Sequence, residues 1–496
     1  MMCAGSATVL GASLRGIDAT IVTVELSISG GLPGLDIVGM PDIAVLEARS
    51  RVRCALRASG YTIPREHVTI NLAPGEQRKS GTAFDLPIAV ALLVATAQLP
   101  ASVAEGRLFV GELGLDGSVC PVRGEVAYAT LAREESLELV VSSESPLTGA
   151  GADAARGLRA LSQLKSRSGE LPRLRVACRE MTDDIAASDF VDVIDQDLAK
   201  RALLVAAAGG HGALMVGPPG SGKTMLARCL PSILPPLSEE EVNETMLIHS
   251  VAGQPIDAIA LGHRPFRAPH HSISTGGLVG GGRPVLPGEV SLAHHGVLML
   301  DEIPEFARGT LQALRQPLED HEVRIVRVDG AYVFPCDFQL VATANPCPCG
   351  HLGDPGQECT CTPQRINSYQ AKLGGPLMDR IDVVVDVPRP ESSKVISGNA
   401  GMSSGEMAEQ VSAARAFRAW RESREGATAD ARPPASMLDA RARRAFEVMA
   451  RNLLLGGRGI ARVTRVARTI ADLAEHELVT EDDIVEAIAF RSRGSA

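Results

Sequence analysis

Residues 214–230 read LMVGPPGSGKTMLARCL, and their order decides the fold of the central region. An apolar run of strand length feeds the loop Gly217-Pro218-Pro219-Gly220-Ser221-Gly222-Lys223-Thr224, and a helical pattern follows at once. This is the phosphate-loop pattern in the strand-to-helix setting that gives it meaning. The glycines let backbone N–H groups turn toward a β-phosphate, and the start of the helix adds positive potential. Lys223 supplies a point charge for the β- and γ-phosphates, and the Thr224 hydroxyl is an oxygen ligand for Mg²⁺. The stretch therefore reads as an ATP and Mg²⁺ site on an α/β sheet.

Two further strand-like runs supply the rest of a hydrolytic centre. GVLMLDE (296–302) sets four apolar residues ahead of Asp301 and Glu302, as a buried parallel strand does when it delivers acids at its carboxyl end. Asp301 is expected to hold Mg²⁺ through water and Glu302 to polarise the attacking water. An acidic pair can also cap the next helix, but after a phosphate loop the catalytic reading is preferred. FQLVATAN (338–345) ends in Asn345, a polar residue suited to orienting the same water.

Working outward, 496 residues with 45% hydrophobic content exceed one ordinary domain. No run reaches the roughly 18 apolar residues of a membrane span, and MMCAGSATVL lacks a basic leader, so a cytoplasmic protein with no membrane partner is expected. Its ten cysteines should then be reduced or metal-bound. A net charge of −10 disfavours coating of DNA by the whole surface, so any nucleic-acid contact must be local.

Residues 1–165 mix strand-like TIVTVELSIS and HVTINL with helix-like DLPIAVALLVA and GEVAYATLARE. This is an α+β pattern. A helical stretch opening at Asp42 and a hairpin-like FVGELGLDGSV belong to it. A linker is expected over 166–188, an α/β nucleotide-binding unit over 189–390, a connector over 391–404 and a helical unit over 405–496. In the last, Thr480 is placed to cap the final helix. VRIVRVDGAYVF (323–334) reads as a hairpin turning at Asp329-Gly330.

With these residues in order, the central unit resembles the AAA+ ATPases. PFRAPHHSISTGGLVGGG, SLAHHGVLMLDEIPEF and VARTIADL are similar to the magnesium-chelatase-like branch of that family, over nearly the whole chain. The resemblance implies an AAA+ core with a C-terminal helical lid. It also implies a homo-hexamer that performs ATP-driven motor work on single-stranded or branched DNA, in branch migration during recombination of incoming DNA. Carried over residue by residue, it makes Arg380 in PLMDRID the arginine finger toward a neighbouring subunit and Arg458 the sensor arginine of the lid, with Arg462 as runner-up. It sends the hairpin and the glycine-rich insertion around 268–288 toward a ring pore, where Arg267, Arg283, Arg324 and Arg327 could meet phosphates. One departure is Asp195, where the family usually has glycine.

The amino-terminal unit resembles the Lon-protease fold, a ribosomal S5 domain 2-like architecture. Aligning Lys79 and Gly81 with that protease's motif puts Ala83 at the nucleophile and Val126 at the catalytic lysine. A Ser–Lys dyad needs both partners, so a binding or assembly role is expected. The competing functional reading is a chelatase-type ATPase that remodels a protein partner or inserts Mg²⁺ into a porphyrin. A non-motor scaffold is the third reading.

Finally, NPCPCGHLGDPGQECTC (345–361) crowds Cys347, Cys349, Cys359 and Cys361 into one loop. Four thiolates can close a tetrahedral zinc site. Reduced thiols without metal, and redox use, remain the alternatives. The loop begins two residues after Asn345, which suggests a clip near the ATP-sensing elements.

Overall fold

Side chains alternate between core and solvent over Ser6–Val9 of strand Ser6–Arg15 and over Val22–Ser27 of strand Asp18–Ser29, and the two strands pair antiparallel from Ser6 opposite Ser27 to Arg15 opposite Asp18. The structure, a computed structural model, describes residues 5–165, 171–174, 188–328, 330–372, 377–398, 401–425 and 437–491. Most of the expected linker at 166–188 lies outside them.

The amino-terminal sheet has seven strands in the order Gly34–Val38, His67–Ala73, Asp18–Ser29, Ser6–Arg15, Arg107–Phe109, Glu138–Ser142, Ala155–Leu158. Helix Ile43–Ala58 begins where Asp42 accepts the Val45 N–H. Helix Asp85–Ala95 is apolar on nearly every side because it is enclosed on nearly every side. Its one acid, Asp85, is fully buried and held by a two-point pair with Arg51 at 2.6 and 2.9 Å. This unit docks on the central one through Gly124 N–H to the Ser250 carbonyl, 2.9 Å, and through shared burial of Tyr128, Leu131, Met246 and Ile256.

The central sheet is parallel throughout, in the order Phe266–Arg267, Val297–Leu300, Gln339–Ala344, Ala213–Val216, Val383–Asp386. The strand ending before Asn345 therefore lies between the one that feeds the phosphate loop and the one that delivers Asp301. Three carboxyl ends converge on one edge, where open α/β sheets bind ligands. The chain is thus α/β at its centre, as expected.

The hairpin is present as Glu322–Arg327 against Gly330–Pro335. Its register pairs Arg327 with Gly330, so Gly330 belongs to the strand and not to the expected Asp329-Gly330 turn. Inward-facing Val323 and Phe334 pair with each other, and this burial overrides the local Asp-Gly signal. Asp329 lies outside the described residues, and the tip carries a fully exposed Val328.

Helices Ser404–Glu425, Ala440–Asn452, Gly457–Leu473 and Glu481–Ala489 close the chain. Thr480 caps the last through a reciprocal pair with Asp483, as expected. Met407, Val411, Phe446, Val466 and Ile470 share one core with Leu203 and Val385, and His211 ties Asp382 (3.1 Å) to Thr469 (2.8 Å). Among the described residues, no helix is long and apolar enough to cross a membrane.

Candidate functional site

The strand Ala213–Val216 is buried at every position, and helix Lys223–Cys229 starts where the loop ends. Gly217 opens the loop against the neighbouring chain: a Cβ there would stand 2.0 Å from the Val387 carbonyl, so only glycine fits. Gln196, which is 3% exposed, pins the loop from the other side by donating to the Ser221 carbonyl at 3.3 Å and the Pro388 carbonyl at 2.8 Å.

Lys223 is 8% exposed and donates to the carbonyls of Gly217 and Pro218, both at 2.8 Å, and to Asn345 Oδ1 at 3.3 Å. Burial draws its ammonium below the usual lysine range, and the carboxylates of Asp301 and Glu302 oppose that shift. The other face of the Asn345 amide donates from Nδ2 to Glu302 Oε1 at 3.4 Å. Asn345 thus spans the Lys223 ammonium and the Glu302 carboxylate.

The Thr224 hydroxyl donates to Asp301 Oδ2 at 3.2 Å. Two oxygens at that spacing fit adjacent positions on one octahedral Mg²⁺, about 3 Å apart, directly or through water. Thr343 completes the arrangement by donating to Asp301 Oδ1 at 2.5 Å and accepting the Glu302 N–H at 3.0 Å. Glu302 sits in the left-handed region at φ 52, a conformation a non-glycine residue adopts only when its surroundings impose it. Its side chain is exposed to the cleft.

Lys223, Thr224, Asp301, Glu302 and Asn345 thereby form one hydrogen-bonded cluster. Arg380 stands outside it, exposed on the turn Met378–Arg380, and pairs with Glu319 at 2.8 Å. Arg458 is exposed in the first turn of helix Gly457–Leu473. Arg462, one turn on, donates to the Met378 carbonyl at 2.9 Å and so braces the Arg380 turn.

The Asp195 departure has a local explanation. Its φ is 58, which glycine adopts freely and aspartate tolerates. Its carboxylate accepts the Glu391 N–H at 2.7 Å and the Lys394 ammonium at 2.6 Å. Of the four arginines named for DNA, two are engaged: Arg267 makes a two-point pair with Glu289 at 2.6 and 2.8 Å, and Arg324 pairs with Glu322 at 2.8 Å. Arg283 and Arg327 are exposed.

All four clustered thiols lie within 4.8 Å of one another, with Cys347 at 3.3 Å from Cys349 and 3.7 Å from Cys359, and Cys349 at 3.6 Å from Cys359. Tetrahedral zinc with 2.3 Å Zn–S bonds would set S···S near 3.8 Å, about the spacing found. Backbone N–H groups of His351 and Thr360 point at the Cys349 sulfur; that of Cys361 points at Cys359, which desolvation and the neighbouring Cys349 and Cys347 sulfurs nevertheless push up to about 12. The His351 N–H is the main cause that draws Cys349 down to about 5. The set fits a tetrahedral thiophilic cation.

Sequence reading missed a second cluster, Glu244 with His294 and His295. His294 Nδ1 accepts the Asp337 N–H at 3.0 Å, so its proton sits on Nε2 and is donated to Glu244 at 3.2 Å. Burial holds this ring neutral, pushing it down to about 4. With Nε2 protonated, the group is a hydrogen-bonded knot rather than a ligand set.

Comparison with known proteins finds three family models. Magnesium chelatase, subunit ChlI, matches residues 189–395; subunit ChlI of Mg-chelatase matches 24–145; and the ChlI C-terminal model matches 401–491. Among curated relatives, the uncharacterized protein YifB of Salmonella typhimurium is 40% identical over 96% of this chain and 95% of its own. The uncharacterized protein Rv2897c of Mycobacterium tuberculosis is 40% identical over 97% and 98%. Competence protein ComM of Haemophilus influenzae is 38% identical over 96% of both chains.

Proposed function

Because the chain belongs to the magnesium-chelatase-like AAA+ family that includes YifB and ComM, we propose that it is an ATP-hydrolysing motor acting on DNA, a helicase-type enzyme that promotes branch migration as a hexamer. The observation that carries the ATPase part is the Lys223–Asn345–Glu302 bridge beside the Thr224–Asp301 pair. The DNA part rests on the competence relative, which matches 96% of the chain.

In this reading the phosphate-loop N–H groups and Lys223 hold the β- and γ-phosphates, and Lys223 exchanges its two loop carbonyls for phosphate oxygens. Thr224 and Asp301 would hold Mg²⁺, which neutralises charge developing on the phosphoryl group. Glu302 accepts the proton of the attacking water, and Asn345 aims that water by holding Glu302 Oε1. Arg380 from a neighbouring subunit stabilises the transferred group, so hydrolysis depends on assembly. Arg458 senses the nucleotide from the helical lid, and the hairpin through exposed Arg327 and the glycine-rich insertion through exposed Arg283 meet DNA at the pore.

The amino-terminal sheet is proposed as a Lon-like domain without peptidase chemistry. In support, Ala83 and Val126, the positions of the absent dyad, lie in one buried cluster. The four clustered thiols are proposed to hold one structural zinc. The protein works in the cytoplasm on this account.

ATP turnover with and without a four-way DNA junction tests the proposal. The protein should hydrolyse ATP faster with the junction, and Glu302→Gln should bind ATP without turning it over. Turnover insensitive to any DNA would favour a chelatase-type motor on a porphyrin or protein partner. Wild-type activity in the Glu302→Gln variant would remove Glu302 from the mechanism.

A further inference from the structure

The cysteine loop touches the nucleotide site on two flanks. Residues 346–362 contain no helix or strand, so their path is set by the cross-link and a few contacts outside any regular ladder. Gly350 turns at φ 85, donates its N–H to the Cys347 carbonyl at 2.9 Å and is buried against the phosphate loop. A Cβ on it would stand 2.5 Å from Cδ of Pro219, so the knuckle between the thiols seats directly on that exposed proline ring. On the second flank, Asp354, whose side chain is 1% exposed, takes the His351 ring at 3.4 Å and Arg389 at 2.9 Å. Arg389 lies two residues beyond Val387, whose carbonyl fixes Gly217. Between these flanks, Gln370 donates to the Pro346 carbonyl at 3.1 Å, next to Asn345.

We propose that the metal-bound cysteine loop is a brace on the phosphate loop, so that occupancy by a tetrahedral thiophilic cation of the zinc class sets affinity for nucleotide. This rests on the structural-zinc reading above. Free of its cross-link, a segment without regular structure takes up many conformations, and Pro219 loses its support. Binding ATP must then order both the phosphate loop and the cysteine loop, and that ordering is subtracted from affinity. No group that touches phosphate is removed, so the effect falls on affinity and not on which residues react.

The test uses the full chain purified without chelator, its zinc content measured by mass spectrometry and its affinity for a fluorescent ATP analogue by titration. Cys359→Ser removes one ligand, and Gly350→Ala leaves all four thiols but collides with the proline and strains the left-handed turn between them. Wild type should carry near one zinc per chain. Cys359→Ser should carry less than about 0.2 and bind nucleotide about tenfold more weakly. Gly350→Ala should keep its zinc and lose a similar factor. Wild type below about 0.2 zinc would overturn the zinc reading and the brace with it. Zinc-free Cys359→Ser that binds nucleotide within twofold of wild type would overturn the brace alone, and so would unaltered affinity in Gly350→Ala. If Cys359→Ser fails to fold, Gly350→Ala decides by itself.

Discussion

Replacing Asn345 by alanine separates ground-state contacts from catalysis. In the structure its amide meets Lys223 at 3.3 Å and Glu302 at 3.4 Å, both at the long limit of hydrogen bonding. Such contacts add little to the resting protein, so stability should fall by less than about 1 kcal/mol. Lys223 keeps both 2.8 Å contacts with the loop carbonyls, and nucleotide affinity should stay within about threefold. On the proposed mechanism the same amide fixes, in the transition state, the carboxylate that takes the proton from water. Losing one preorganised polar group of that kind costs about 100- to 1000-fold in turnover, about 2.7–4 kcal/mol. Phosphate release at saturating ATP measures kcat, and titration with a fluorescent analogue measures binding. A kcat within about fivefold of wild type, or a loss expressed mainly in KM, would refute this role.

Arg380→Ala should bind ATP normally yet lose about 1000-fold in turnover, because the group it supplies acts on the next subunit. Mixing it with Glu302→Gln chains should restore activity, since each variant provides what the other lacks; a mixture as inactive as its parts would contradict action in trans. Glu125 gives a pH signature: burial pushes its carboxyl up to about 7, against opposing hydrogen bonds from Ser145 and the Val122 N–H. The folded state then keeps a proton that the unfolded state has released, so stability falls as pH rises from the unfolded value near 4.5 through 7 and levels off above. The span amounts to roughly 3 kcal/mol. Glu125→Gln should lack this fall and melt progressively higher than wild type between pH 5 and 7.5; parallel melting curves would contradict it.

The clustering of the candidate site's side chains was legible because each follows an apolar run. Lys223, Asp301 and Asn345 follow Ala213–Val216, Val297–Leu300 and Gln339–Ala344, and parallel strands buried on both faces leave that signal in the sequence. Thr343 escaped notice because threonine in a strand reads as a β-former, although it is fully buried and polar in an otherwise apolar run. The first strand, SATVLGASLR, was missed because its small residues carry little β preference. They are small for a tertiary reason: a Cβ on Gly11 would stand 3.1 Å from the Pro87 ring of the buried helix. Pairing of Arg267 with Glu289, and of Arg380 with Glu319, depends on how separate elements meet and leaves no local trace. The cysteine spacing suggested a metal, but only the fold brings Gly350 onto Pro219.

The central claim is that hydrolysis at this site moves DNA. A labelled three-strand branch-migration substrate, incubated with the zinc-loaded protein and ATP, tests it directly. Product should form with the wild-type chain and ATP, and should be absent with Glu302→Gln or without nucleotide. Hydrolysis at full rate with no product would contradict the account.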